Sequence, residues 1–150
     1  GDMLSIATET ERTLFFDFLP LDLGAVHGFR TRFHLYTVPG QILYERTRLA
    51  VLNGADGIVF VVDSQAEKFE ENVQSFAELD FNMRRLGKDL SNFPLIMQWN
   101  KRDMPSALPV GVLERYLNRR RVPGFEAIAY EGKGVFATLR AISKCVITQL

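Results

Sequence analysis

The chain has 150 residues, of which 47% are hydrophobic and 24% charged, and its 18 basic residues balance 18 acidic ones. That length suffices for one domain with a proper core, and the composition excludes disordered and membrane-embedded classes. Zero net charge supplies no field that would gather nucleic acid or an anionic lipid surface, so no nucleic-acid partner is expected.

Two strand patterns come first. Residues 14–21 are mostly apolar and aromatic, and residues 29–38 alternate Phe33 and Leu35 with Arg32, His34 and Tyr36. Turn residues between them, Asp22, Gly24, His27 and Gly28, make an antiparallel pair the expectation. Helical spacing follows over about 44–52 and stops at Asn53-Gly54. Residues 57–63 are an unbroken apolar run ending in Asp63, which implies a central parallel strand covered on both faces. A long amphipathic helix is expected next, with Phe69, Val73, Phe76, Leu79, Met83 and Leu86 forming its apolar stripe. A second buried strand over 94–99 ends at Asn100, a helix covers 110–117, and a last strand covers 125–129. The final helix runs from 135 to about 147 with Val135, Leu139, Ile142 and Val146 inward. Strands alternating with helices give an α/β fold with a mostly parallel sheet. No repeat, low-complexity stretch or linker interrupts the chain, so 1–150 reads as a single domain. Arg119-Arg120-Arg121 reads as a solvated basic face.

The lone Cys145 has no disulfide partner within the chain and sits among Ile142, Val146 and Ile147 as a small core residue. The longest apolar run falls far short of the roughly 20 residues that span a bilayer, and no signal segment or prenylation motif is present. A cytoplasmic location without direct membrane insertion is expected, any recruitment to a cell pole coming through partners. His27 and His34 lack companions at metal-ligand spacing.

In a doubly wound sheet, ligands sit beyond the carboxyl ends of the strands. The loop after Trp99 reads Asn100-Lys101-Arg102-Asp103. A carboxylate there can accept two parallel hydrogen bonds from the N1 and 2-amino groups of guanine, a pattern adenine lacks. The Asn100 amide can hold a neighbouring loop or the purine edge, and the stem of Lys101 can lie along the base. After Val38 come Pro39-Gly40-Gln41, with Gly40 free to approach a phosphate and Gln41 placed to orient a water. After Ala129 come Tyr130-Glu131-Gly132-Lys133-Gly134, whose backbone N–H groups can face the guanine O6. Taken singly, the loop after Val38 reads better as a simple Pro-Gly turn, and the loop after Ala129 reads equally well as a glycine-rich helix start.

With three such loops in this order at strand ends, the chain resembles the Ras-like GTPases, and more closely the MglA family of bacterial small GTPases that set cell polarity and gliding motility. Residues 5–20 resemble that family's first switch and second strand, and residues 33–41 its third strand and second switch. Asn100-Lys101-Arg102-Asp103 and Glu131-Gly132-Lys133-Gly134 resemble its base-binding loops. Thr37 belongs to the resemblance, since most Ras-like proteins carry aspartate there.

The resemblance implies a GTP-binding and GTP-hydrolysing switch with GTP/GDP and Mg²⁺. Thr13 is implied as the Mg²⁺ ligand, Arg12 as an arginine finger in cis, and Gln41 as the residue that positions the attacking water. Gly40 falls to the phosphate side. Asn100, Lys101, Asp103, Glu131, Gly132 and Lys133 fall to the base. The implied partners are a roadblock-fold GTPase-activating protein of the MglB type, docking near the strand of Phe15, Phe16 and Phe18, and polarity or motility effectors.

No Gly-x-x-x-x-Gly-Lys-Ser/Thr occurs; Gly87-Lys88 and Gly132-Lys133 are followed by Asp89 and Gly134. The Ras-like P-loop fold places its first strand at the middle of the sheet, where each lost backbone partner costs about 1–3 kcal/mol. The sequence is therefore expected to be an N-terminally truncated reading, lacking the first strand, the phosphate-binding loop and the first helix, and inactive alone. The alternatives are a pseudo-GTPase module that binds proteins without nucleotide, which leaves Arg12, Thr13 and Gln41 without a use, and a flavodoxin-like or response-regulator-like module, which leaves Asn100 to Asp103 unexplained.

Overall fold

The computed structural model describes residue 36 and residues 45–149. The strands expected over 14–21 and 29–38, and their antiparallel pairing, lie outside those residues except for Tyr36, which is exposed. Two compact units divide the chain, Gly1–Ala55 and Asp56–Leu150. In the first, helix α1 spans Glu45–Gly54, where helical spacing places it, and Leu52 is its buried side chain.

The second unit alternates β1 (Ile58–Asp63), α2 (Phe69–Arg85), β2 (Leu95–Asn100), α3 (Val110–Leu117), β3 (Gly124–Glu126) and α4 (Val135–Ile147). The strands form a sheet in the order β1-β2-β3, with each neighbouring pair parallel. In register, Ile58 faces Leu95 and Asp63 faces Asn100, so the two polar strand ends stand level with each other.

Side chains alternate across the sheet, and the two faces are covered by different helices. Val62, Met97 and Trp99 point to one face and pack with Leu113 and Leu117 of α3. Phe60 meets Phe76 of α2 edge to face at 5.0 Å between ring centroids, so α2 and α3 share this side. On the opposite face, Gln98 Nε2 donates to Thr138 Oγ1 of α4 at 2.9 Å. β2 is buried from Leu95 through Trp99, as a central strand should be. β1 departs from the expected two-sided burial. Its Val61 is 52% exposed, whereas just before the strand Val146 and Ile142 of α4 lie against Gly57.

The stripe expected on α2 is only partly inward: Met83 is fully buried, while Val73 is 41% exposed. Two asparagines are buried on the same helix, and Asn72 is there for its hydrogen bonds. Its Nδ2 donates to Asp63 O at 2.8 Å and its Oδ1 accepts from Asp63 N at 3.2 Å, tying α2 to the end of β1.

β3 ends earlier than the expected 125–129, at Glu126. Beyond it the backbone turns away from the ladder, since Ile128 pairs back on Lys133 and the Ala129 N–H goes to a side chain of β2. α4 matches its expected span, with Thr138, Leu139, Ser143 and Ile147 buried. Its inward face is thus rotated toward Thr138 and Ser143, and Val135, Ile142 and Val146 are half-buried. None of the described helices is long and apolar enough to cross a membrane.

Candidate functional site

The carboxyl ends of β1 and β2 gather three segments. Parallel register brings Asp63 beside Asn100, and the Ser64 N–H donates to Asn100 O at 3.1 Å, extending the ladder one step past the strand. After Asn100 the backbone turns at Lys101, whose φ of 62° is left-handed, and Met104 N–H closes the turn on Lys101 O at 3.1 Å. A non-glycine residue in that region costs about 1 kcal/mol or more. Here it sends Lys101 Nζ to Asp63 Oδ2 at 3.0 Å.

Asp63 is the anchor of this corner. Its Oδ1 accepts from the Gln65 backbone N–H and from Gln65 Nε2, each at 3.1 Å, while Lys101 takes the other oxygen. Burial pushes the carboxyl pKa up, but the hydrogen bonds from Gln65 and Lys101 outweigh it and hold the group below its ordinary 3.8.

Arg102 fixes the loop from the other side. Its Nη1 donates to Leu108 O at 2.6 Å, its Nε pairs with Glu126 Oε1 at 3.2 Å, and its backbone N–H reaches Ala127 O at 3.2 Å. Asp103 is left exposed at the loop's tip, with Oδ2 accepting from Tyr130 Oη at 2.9 Å. No described residue donates a hydrogen bond to its Oδ1.

The third segment follows β3. Asn100 Oδ1 accepts from Ala129 N at 2.9 Å, joining the two loops through a part-buried bond. Ile128 and Lys133 exchange backbone hydrogen bonds at 3.0 and 3.2 Å, which closes the loop between them. The loop hands over to α4 at Gly134, whose φ is 79° and whose missing Cβ leaves room for Glu126 O. Within the loop Lys133 Nζ pairs with Glu131 Oε1 at 3.1 Å, and this bond with that from Tyr130 lowers the Glu131 carboxyl pKa. Tyr130, bonded first to Asp103 and then to Glu131, has its phenol pushed up to about 12.

Of the residues singled out from the sequence, Asn100, Lys101 and Asp103 thus come together on one turn, and Glu131, Gly132 and Lys133 lie on the adjoining loop. The contacts that join the loops are made by Ala129 and Tyr130. Arg12, Thr13, Gly40 and Gln41 lie outside the described residues. Sequence reasoning gave no role to Asp63, Gln65 or Asn72, nor to the side chain of Tyr130. A carboxylate closing an apolar strand was the signal available for Asp63, whereas nothing in the spacing marks Tyr130. No group of three His, Cys, Asp or Glu side chains is arranged to hold a metal among the described residues.

The architecture is that of an α/β protein with a parallel sheet, a class that places its ligands beyond the carboxyl ends of the strands, where the Asn100–Asp103 turn stands. No protein-family model matches the chain. It is 51% identical over 150 residues to the mutual gliding-motility protein MglA of Myxococcus xanthus (strain DK1622), covering 100% of this chain and 77% of that protein. It is also 28% identical over 115 residues to the Ras-related protein RABG3d of Arabidopsis thaliana and to the Ras-related protein Rab7 of Prunus armeniaca, covering 73% of this chain and 55% of each of them. The chain belongs to the MglA family of Ras-like small GTPases. It is accordingly a GTP-binding and GTP-hydrolysing switch that works through regulatory and effector partners, and this kinship disfavours the reading as a pseudo-GTPase.

Proposed function

We propose that the switch serves gliding motility and cell polarity, and that Asn100, Lys101 and Asp103 with the Glu131-Gly132-Lys133 loop hold the guanine end of the nucleotide. The observation that carries the base site is the Asn100–Asp103 turn, locked by Lys101 to Asp63 and by Asn100 to the Ala129 backbone, with one Asp103 oxygen facing no described donor. A carboxylate held in this way accepts from the N1 and 2-amino groups of guanine, and the Lys101 stem lies along the base. The motility role is supported by the 51% identity to a protein named for mutual gliding motility.

On the phosphate side, Gly40 lets the backbone approach, Gln41 orients the attacking water, and Arg12 offsets charge developing on the transferred phosphoryl group. Thr13, whose hydroxyl is a hard oxygen donor, would help hold magnesium, which would offset negative charge at the phosphates. Thr37 adds no carboxylate behind it, so rapid hydrolysis depends on a partner that remodels the switches. A roadblock-type activator of the MglB kind is that partner, and polarity or motility effectors read the GTP-bound form. We place the whole 1–150 stretch in one small GTPase domain that works in the cytoplasm and reaches a cell pole through partners.

The test is Asp103→Asn. An amide presents a donor where the carboxylate accepted, so preference should move from guanine to xanthine nucleotide, measured by competition binding. Unchanged guanine selectivity would remove Asp103 from the base site.

A further inference from the structure

At the opposite end of the sheet, where α3 hands over to β3, lies the run Arg119-Arg120-Arg121, which the nucleotide site does not use. Two concavities meet there. One, about 410 Å³, lies between α2 and α3 over Val73, Phe76, Leu90, Tyr116 and Leu117. The other, about 620 Å³, is rimmed by Arg115, Arg119 and Arg121. Asn118 and Arg119 line both, so an apolar trough opens directly onto a basic one.

The arginines differ in what they do. Arg120 is structural, its Nη1 donating to Leu90 O at 2.9 Å and Phe93 O at 2.6 Å. The Arg119 and Arg121 side chains are exposed, and among the described residues neither has a hydrogen-bond or ion-pair partner. One carboxylate lines each concavity: Asp80, neutralised by Arg84 at 2.7 Å, and Glu114, which accepts from Asn118 Nδ2 at 2.8 Å and leaves the arginines in excess. Arg121 also has a φ of 60°, a conformation that glycine or asparagine adopts at lower cost. The turn alone therefore does not account for an arginine here. Val73 and Tyr116 are 41% and 51% exposed beside it, apolar surface that the core does not use.

We propose that this end of the molecule docks an acidic amphipathic segment of a protein partner, whose apolar side chains enter the α2–α3 trough while its carboxylates meet Arg119 and Arg121. Charge complementarity selects the partner's sign. Concavity selects its form, because a row of side chains can fill a trough that a lipid surface would bridge. In a chain of zero net charge, three arginines against the one carboxylate of Glu114 leave this concavity a local positive field that steers an acidic segment to it. The surface lies away from Asn100 and Asp103, so occupation does not obstruct the base.

The experiment uses the full chain and a fluorescent peptide of about 16 residues, some 24 Å of helix, with Leu at i, i+3, i+4 and i+7 spacing and Glu elsewhere. Anisotropy should show saturable binding. The same peptide with Lys for Glu should bind at least about tenfold more weakly. The double variant Arg119→Glu with Arg121→Glu should reverse that order, losing the acidic peptide and gaining the basic one, with circular dichroism confirming an unchanged fold. Val73→Asp should weaken the acidic peptide independently. Absence of binding overturns the proposal, as does binding indifferent to the arginine reversal. Capture of the chain on vesicles of phosphatidylglycerol and phosphatidylcholine, lost on arginine reversal and without peptide binding, would reassign the patch to a membrane surface.

Discussion

Asp63 shows how one side chain couples stability to the geometry of the Asn100–Asp103 turn. Its carboxylate takes hydrogen bonds from Gln65 and Lys101, and its pKa is lowered overall although burial works to raise it. A depressed carboxyl stabilises the fold fully above its unfolded pKa, near 3.8, and that contribution fades as pH falls through the lower folded value. Asp63→Asn should therefore cost about 1–2 kcal/mol at neutral pH, with a smaller loss on acidification below pH 4 than in the parent, as read by urea unfolding across pH. Tyr130 makes the opposite case. Its phenol is held up at about 12 by the bonds to Asp103 and Glu131, so the neutral form is the one the site favours. In Asp103→Ala the tyrosine titration followed by ultraviolet absorbance should lose its latest component and move toward the ordinary value near 10. An unmoved titration would mean that the hydroxyl owes little to Asp103. Sequence patterning exposed the Asp103 half of this pair, because its loop follows a buried strand. It passed over Tyr130, because a tyrosine between two strand-end loops has no spacing signature.

At the scale of elements, the site depends on two joints. The first is Asn72, buried on α2 so that its amide can pair with both backbone groups of Asp63. Asn72→Ala strands a donor and an acceptor at the end of β1, and a loss of about 1–3 kcal/mol is expected in chemical unfolding, with Lys101 released from its register. The second is Gly134, where the loop from β3 enters α4 at positive φ against Glu126 O. Gly134→Ala adds a Cβ both strained and obstructed, and should cost about 1–3 kcal/mol, read as a fall in thermal midpoint. The helices themselves were readable from the chain: apolar spacing places α3 and α4 over their observed spans, and α1 runs two residues past the expected 52, through Asn53 and Gly54. Which residues of a helix face inward was less readable. On α2 a buried asparagine replaces part of the apolar stripe, since an unpaired strand end costs more than a desolvated amide that bonds it.

At the scale of the molecule, the described strands of the unit Asp56–Leu150 are parallel with helices on opposite faces, which collects their polar carboxyl ends at one edge. For the GTPase, Arg12→Ala and Gln41→Ala should leave GTP affinity nearly intact and slow hydrolysis by roughly 10³-fold for the arginine, measured in single turnover with and without the activating partner. Parent-rate hydrolysis in either variant would remove its catalytic role. By itself the sequence determined the α/β class, the buried strand Leu95–Asn100 and the turn of Asn100, Lys101 and Asp103, because apolar run length and residue type are local properties. Only the tertiary structure decided that Lys101 is held by Asp63, that Asn100 clasps the backbone of Ala129, and that Tyr130 reaches Asp103. Those partners lie 27 to 38 residues apart along the chain and meet through strand register and helix crossing, which no local pattern encodes.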